Sequence, residues 1–105
     1  MPGEKAVRVT IYVSEADHWQ GKPLHLEILR FLRQDGHAGG TVLRGVAGFT
    51  RAAGVVTTSL VDAGGKLPLV IEFVDTAEAV ARAMPTLRKM AGSRLITTEE
   101  IFIEP

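Results

Sequence analysis

Ala6-Val-Arg-Val-Thr-Ile-Tyr-Val-Ser14 is the stretch that decides the fold. Its β-branched apolar residues occupy every second position from Val7 to Val13, and polar or aromatic residues lie between them. Successive side chains of a strand point to opposite faces of a sheet, so this pattern predicts a strand with one buried face. The chain therefore begins with a half-buried β-strand.

An amphipathic helix is predicted to follow this strand. Pro23 suits the first turn of a helix, and Gly36 suits the position just after its end. Between them the apolar residues recur at the spacing of one helix face: Leu24, Ile28, Phe31 and Leu32.

Two further extended stretches follow. Thr41–Phe49 is interrupted by Gly45 and Gly48, which suggests a bulge or the close approach of another backbone or a ligand. Leu67–Val74 is almost wholly apolar, so both of its faces are expected to be buried.

A second helix and a last strand complete the pattern. Asp75 is predicted to cap the helix with Glu78 as its partner, Pro85 to kink it near Ala81, and Gly92 to end it. Its apolar stripe consists of Val80, Met84, Leu87 and Met90. Glu99–Glu104 reads as a short strand with Ile101 and Ile103 on one face.

The order strand, helix, strand, strand, helix, strand predicts a ferredoxin-like α+β sandwich, with both helices on one face of an antiparallel sheet. The 105 residues are enough for one hydrophobic core, so residues 1–105 are expected to form one domain.

The sheet face opposite the helices is predicted to be apolar. It would carry Tyr12, part of Thr41–Phe49, half of the third strand and Phe102. Monomers seldom leave so large an apolar patch in water, so we expect a homo-oligomer. An amphipathic, solvated face is the alternative.

Composition excludes several classes of protein. Twelve basic residues balance twelve acidic ones, which argues against a nucleic-acid binder. There is no cysteine, hence no disulfide and no thiolate chemistry. No apolar run approaches the length of a membrane span, and residues 1–5 show no secretory signal, so we expect a cytoplasmic protein without membrane insertion.

No catalytic motif is present, and the chain is not expected to be an enzyme. Glu15, Asp17 and His18 are three potential metal ligands in one loop, but their spacing matches no dedicated metal motif. A solvated polar loop is the favoured interpretation of these residues.

The glycine-rich stretch from Gly39 to Arg51 is the most informative segment for function. Glycines allow a backbone to present its N–H groups closely to a ligand, and Arg44 and Arg51 supply planar donors for phosphate or carboxylate. By spacing alone, a plain turn is the slightly favoured explanation of this pattern. The connection from Phe49 to Lys66 is longer than most loops of compact domains, which favours a functional loop or a short hairpin that uses Val55, Val56, Leu60 and Val61.

Gly40-Thr-Val-Leu-Arg-Gly-Val-Ala-Gly-Phe49 resembles the GATVLRGxxGF signature of a PII-like family, domain of unknown function 190. Further segments match in order and cover nearly the whole chain: residues 11–15, 21–24 and 67–72, and the helix containing Pro85. The resemblance implies a ferredoxin-like fold assembled as a trimer, with the open sheet faces turned inward.

The resemblance also implies a site. In PII proteins a Gly-Phe-Gly-Arg stretch at the root of the T-loop helps to bind an adenine nucleotide between subunits, and Gly48-Phe-Thr-Arg51 is similar to it. Residues 49–66 would correspond to the T-loop. PII proteins also use basic residues beyond the second helix to hold phosphates; from Gly92 to Pro105 this sequence has only Arg94. The candidate ligand-binding residues are therefore Arg44, Gly45, Gly48, Phe49, Arg51 and Arg94.

The implied function is that of a trimeric signalling protein. It would bind a small anionic or nucleotide-like ligand, with an adenine nucleotide as the candidate, and act through residues 49–66 on a partner protein. Related family members suggest a membrane transporter or channel, such as a fluoride-channel protein, as that partner. The alternative is a metal-binding trimer resembling the copper-tolerance relatives of PII.

Overall fold

A computed structural model describes residues 3–51, 53–58 and 66–105. Residue 52 and residues 59–65, which include the predicted hairpin residues Leu60 and Val61, lie outside the described residues. The elements in chain order are β1 (Glu4–Ser14), β2 (His18–Trp19), β3 (Lys22–Pro23), α1 (Leu24–Gln34), β4 (Thr41–Arg44), β5 (Ala47–Thr50), β6 (Ala53–Thr57), β7 (Pro68–Asp75), α2 (Ala77–Ala91) and β8 (Ile96–Ile103).

The main sheet has four antiparallel strands in the order β4-β7-β1-β8. The central strand β1 pairs with β7, where Ile11 lies opposite Ile71, and with β8, where Val9 lies opposite Thr98. With α1 and α2 included, the chain follows the predicted βαββαβ order, and the ferredoxin-like α+β fold is confirmed.

The core lies between the two helices and one face of this sheet. The alternation predicted for β1 is present, since Val9, Ile11 and Val13 are at most 1% exposed. The other large side chains of the buried cluster come from β7 and from the predicted helix stripes: Leu69, Ile71, Phe73, Leu24, Ile28, Leu32, Val80, Leu87 and Met90.

The N-terminus of α2 differs from the prediction. Thr76, not Asp75, is the N-cap, and its side-chain oxygen accepts a hydrogen bond from the backbone N–H of Ala79 at 3.1 Å. The carboxylate of Asp75 instead contacts the ring of His37, whose Nδ1 atom lies 2.7 Å from a carboxylate oxygen. The helix runs from Ala77 to Ala91 without interruption at Pro85.

The predicted second strand, Thr41–Phe49, is two strands. β4 ends at Arg44, and β5 starts at Ala47 and pairs with β6 as a separate two-stranded ribbon. The break falls at Gly45, one of the two glycines that the sequence singled out. Val55 and Val56 belong to β6, as expected for a hairpin, but their partner strand is β5.

The sheet face opposite the helices is open within this chain, and it is apolar only in part. Side chains that face each other across neighbouring strands share a face, so the pairing defines rows across the sheet. One row is apolar and consists of Leu43, Val70 and Tyr12. The next is polar and consists of Thr41, Glu72, Thr10 and Thr97, and a third contains Val74, Arg8 and Glu99.

Two details of this open face were not foreseen. Phe102 lies opposite Lys5 and belongs to the other face, while Ile101, opposite Ala6, belongs to the open face. Arg8 donates hydrogen bonds to Glu99 in its own row and lies 3.9 Å from Glu72 in the polar row, so charged contacts link the second and third rows. None of the helices in the described part of the chain has the length and apolarity needed to cross a bilayer.

Candidate functional site

A cleft of about 450 Å³ opens beside the apolar row of the open face. Three distant parts of the chain form it: the end of β1 with the turn that follows it, the β5–β6 ribbon, and the link between α2 and β8. The lining residues are Tyr12, Asp17, Phe49, Thr50, Arg51, Ser93, Arg94 and Leu95. Three of the six predicted ligand-binding residues, Phe49, Arg51 and Arg94, are thus brought together.

Two glycines direct the ribbon to this position. A Cβ atom at Gly45 or at Gly48 would lie 3.0 Å from the Cγ atom of Pro68. The backbone N–H of Gly45 also donates to the carbonyl of Pro68 at 2.8 Å. Gly45 and Gly48 therefore let the chain pass closely over the start of β7, and this packing accounts for two of the three glycines between Gly40 and Phe49.

The apolar wall of the cleft consists of side chains that the chain leaves accessible. Phe49 is 74% exposed, Leu95 is 59% exposed and Tyr12 is 40% exposed. Tyr12 and Leu95 are adjacent in the sheet, because the N–H of Tyr12 donates to the carbonyl of Leu95 at 3.0 Å. Two aromatic rings and a leucine offer a flat ligand an apolar surface.

Arg94 is fixed at the edge of the cleft by Asp17. Its Nε and Nη2 atoms donate to the two carboxylate oxygens at 2.8 and 2.7 Å, and its Nη1 atom donates to the carbonyl of Ala91 at 3.0 Å. Asp17 also accepts the backbone N–H of Ser14 at 2.8 Å. This bidentate pair closes the β1–β2 turn against the end of α2.

The electrostatics of this pair follow from its contacts. Burial acts to raise the pKa of Asp17, but the hydrogen bonds from Arg94 and Ser14 outweigh burial and hold that pKa below its usual range. The hydrogen bond to Asp17 raises the pKa of Arg94. Asp17 is therefore ionised at neutral pH, and it offsets the charge of Arg94.

Arg51 is the cation of the cleft that stays available. It is exposed in the turn after β5, and within the described residues it forms no ion pair. Its guanidinium can thus approach an anion without first leaving a carboxylate.

Arg44, Gly45 and Gly48 do not line the cleft. Arg44 donates from Nε to Glu15 at 3.1 Å, and the backbone N–H of Leu67 donates to the same Glu15 oxygen at 2.9 Å. Burial acts to raise the pKa of Glu15, but these two hydrogen bonds outweigh burial and lower it. Arg44 therefore joins β4 to the end of β1, and its acidic neighbour lies in its own chain.

The three potential metal ligands of the first loop have separate roles. Glu15 binds Arg44 and Leu67, Asp17 binds Arg94 and Ser14, and the ring of His18 contacts the carbonyl of Ala16 at 2.8 Å. In the ranges that the structure describes, no three side chains of His, Asp or Glu are grouped to hold a metal ion.

Sequence reasoning missed Asp17 as a cleft residue, together with Tyr12, Thr50, Ser93 and Leu95. Tyr12 could have been predicted from the sequence, because the alternation in β1 placed it on the open face. The partnership of Asp17 and Arg94 spans 77 residues and had no local signature.

The comparison with known families decides the relationship of this chain. The profile of DUF190, described as "Uncharacterized ACR, COG1993", matches residues 6–103. The chain belongs to the DUF190 family. This confirms the resemblance drawn from residues 40–49.

Two curated relatives of this DUF190 protein carry the name UPF0166 protein. One, from Methanocaldococcus jannaschii, is 32% identical over 83 residues, which are 79% of this chain and 76% of the relative. The other, from Aquifex aeolicus, is 30% identical over 93 residues, which are 89% of this chain and 88% of the relative. Among solved structures, the de novo designed protein Foldit4 matches 95% of this chain and 98% of its own at 12% identity and a TM-score of 0.47, which supports no conclusion about this protein.

Proposed function

We propose that this DUF190 protein is a PII-like trimeric regulator that binds a small anionic or nucleotide-like ligand in the cleft beside Tyr12 and acts through residues 49–66 on a partner protein. One observation carries the proposal: the fold brings Phe49 and Arg51 of the ribbon to Arg94, although the sequence separates them by more than forty residues.

The ligand chemistry is argued from the walls of the cleft. The rings of Tyr12 and Phe49 suit a flat apolar body, and Arg51 suits a phosphate or carboxylate. An adenine nucleotide has both parts. Because Asp17 offsets Arg94, the three charged lining residues sum to about one positive charge, which favours a ligand with few negative charges over a triphosphate.

The trimer is argued from the open face. Leu43 is 55% exposed and Tyr12 is 40% exposed in the same apolar row, and Leu95 continues that row at the cleft. Contact with a neighbouring subunit would remove this row from water and place the cleft at the subunit boundary.

The action on a partner is argued from the ribbon. Phe49 lines the cleft, and the same ribbon also presents the exposed side chain of Val55. A ligand that contacts Phe49 and Arg51 would therefore change the order of residues 49–66. A cytoplasmic location and a membrane transporter or channel as the partner, such as a fluoride-channel protein, complete the proposal; neither nucleic-acid binding nor enzymatic turnover is part of it.

A ligand screen tests this proposal. Thermal unfolding is followed with AMP, ADP, ATP and inorganic phosphate, because a ligand that binds the folded state raises the unfolding temperature. We expect AMP to raise it more than ATP or phosphate does. Sedimentation of the same samples is expected to show a trimer. A monomer at micromolar concentration, or no shift with any of the nucleotides, would contradict the proposal.

A further inference from the structure

His37 is a buried histidine between two carboxylates, at the end of the sheet away from the proposed ligand cleft. It follows α1, and its side chain is fully buried. Its Nδ1 atom lies 2.7 Å from a carboxylate oxygen of Asp75, and its Nε2 atom lies 2.8 Å from one of Asp35. The ring of Phe73 covers it at a centroid distance of 5.1 Å.

These two contacts set a requirement on the protons of the ring. A carboxylate only accepts hydrogen bonds, and a neutral imidazole has a single N–H. Both contacts are hydrogen bonds at once only if both ring nitrogens carry a proton. Burial acts to raise the pKa of Asp75, but the N–H of Thr76 and the ring of His37 outweigh burial and lower it, so this carboxyl is ionised and does not supply the second proton.

The charged groups around the ring come from α1, β7 and α2. Asp35 follows the last residue of α1, Asp75 is the last residue of β7, and Arg82 lies on α2. The Nε atom of Arg82 lies 3.4 Å from the Asp35 carboxylate, and its Nη2 atom donates to the Asp35 carbonyl at 2.9 Å. The cluster of Asp35, His37, Asp75 and Arg82, termed here the His37 clasp, thus joins three elements.

The clasp adjoins a second cleft. Ala38, Gly39 and Gly40 follow His37 directly and form one lip of a cleft of about 510 Å³, whose opposite side includes Glu72 and Val74. Because His37 and this lip are consecutive in the chain, the clasp lies at the edge of the second cleft.

We propose that the His37 clasp is a proton-operated switch: the doubly protonated ring ties α1 to the end of β7, and loss of one ring proton releases residues 38–40. After that loss, one ring nitrogen presents a lone pair to a carboxylate. Asp75 keeps the backbone N–H of Thr76 as a partner, and Asp35 lies only two residues from His37, so the ring keeps Asp35 and the contact with Asp75 opens. The inference does not depend on the proposed ligand cleft.

Nuclear magnetic resonance tests this switch on the intact protein. Nitrogen-15 signals of the His37 ring report how many protons it carries at each pH, and nitrogen-15 relaxation of the backbone reports the order of residues 38–40. We expect the second ring proton to leave at the same pH midpoint at which the order parameters of Ala38, Gly39 and Gly40 fall from about 0.85, typical of a rigid backbone, to below about 0.6.

Asp35→Asn is the matched control, because an Asn amide can donate to the ring nitrogen that a carboxylate would repel. In this variant we expect a singly protonated ring and order parameters of residues 38–40 that stay constant across the same pH range. A wild-type ring that carries one proton wherever the protein is folded would overturn the proposal. So would a ring that titrates without any change at residues 38–40, and this second result is decisive even if the variant fails to fold.

Discussion

The two faces of the sheet use the same strands for different tasks. On the helix side, Val9, Ile11 and Ile71 are completely buried. On the open side of the same strands, Tyr12 is 40% exposed, and Leu43 on the edge strand is 55% exposed. Because side chains alternate along a strand, one sequence supplies a folding core on one face and a surface for recognition on the other.

The open face also differs from the uniform apolar patch that the sequence suggested. Apolar side chains are concentrated in the row of Leu43, Val70 and Tyr12, whereas Arg8, Glu72 and Glu99 form an ion-paired group farther along. Assembly through this face should therefore depend mainly on the row beside the ligand cleft.

Ile71→Asp should have the largest effect of the predicted variants. The side chain is 0% exposed in the core, where an unpaired carboxylate is very costly. We expect a loss of about 5 kcal/mol or more in the free energy of unfolding, enough to unfold a domain of this size. Circular dichroism and urea titration measure it, and a folded variant would mean that Ile71 does not face the helices.

Leu43→Asp tests the open face of the sheet. Because Leu43 is half exposed, the charge remains solvated in a single chain, and the fold should persist. A carboxylate in the apolar row should instead weaken assembly, seen by sedimentation as a shift from trimer to monomer. Thr97→Asp, an exposed control on the adjacent polar row, should leave assembly unchanged. If Leu43→Asp also left assembly unchanged, the apolar row would not be part of the interface.

Acid should weaken the protein through its paired carboxyls. The folded-state pKa values of Glu15, Asp17 and Asp75 are lowered, so their contribution to stability is present above the unfolded pKa values. It is lost as the pH falls through the folded values, in the region below about pH 4. Urea titrations across this range should show a steadily falling free energy of unfolding.

Asp17→Asn sharpens the acid prediction. The variant removes a carboxylate that accepts two hydrogen bonds from Arg94, so we expect a loss of about 1.5–3 kcal/mol at neutral pH. The difference from the wild type should shrink as the pH falls, because the wild-type carboxyl is then protonated as well. A difference that is constant with pH would show that the charge of Asp17 does not stabilise the fold.

The parts of the fold that depend on local sequence were predictable. Alternation in β1 and the stripe of Leu24, Ile28 and Leu32 depend on spacing alone. The N-cap at Asp75 was wrong because His37, 38 residues away, occupies that carboxylate and leaves the neighbouring Thr76 to cap the helix.

The residues of the candidate site were likewise predictable only where a local stretch of sequence carries them. Phe49 and Arg51 were found because one continuous segment carries them. The role of Arg44 and the pairing of Arg94 with Asp17 depend on contacts across 29 and 77 residues, which no local pattern encodes.

The most direct test of the account is the affinity of Arg51→Ala for AMP, measured by titration calorimetry beside the wild type and Arg33→Ala. Arg33 is exposed on α1, away from the cleft, and controls for the loss of one positive charge. We predict that Arg51→Ala weakens binding by roughly tenfold to a hundredfold, because a charged hydrogen bond contributes about 1.5–3 kcal/mol. Arg33→Ala should bind as the wild type does. Equal affinity in the wild type and Arg51→Ala would contradict the placement of the ligand in this cleft.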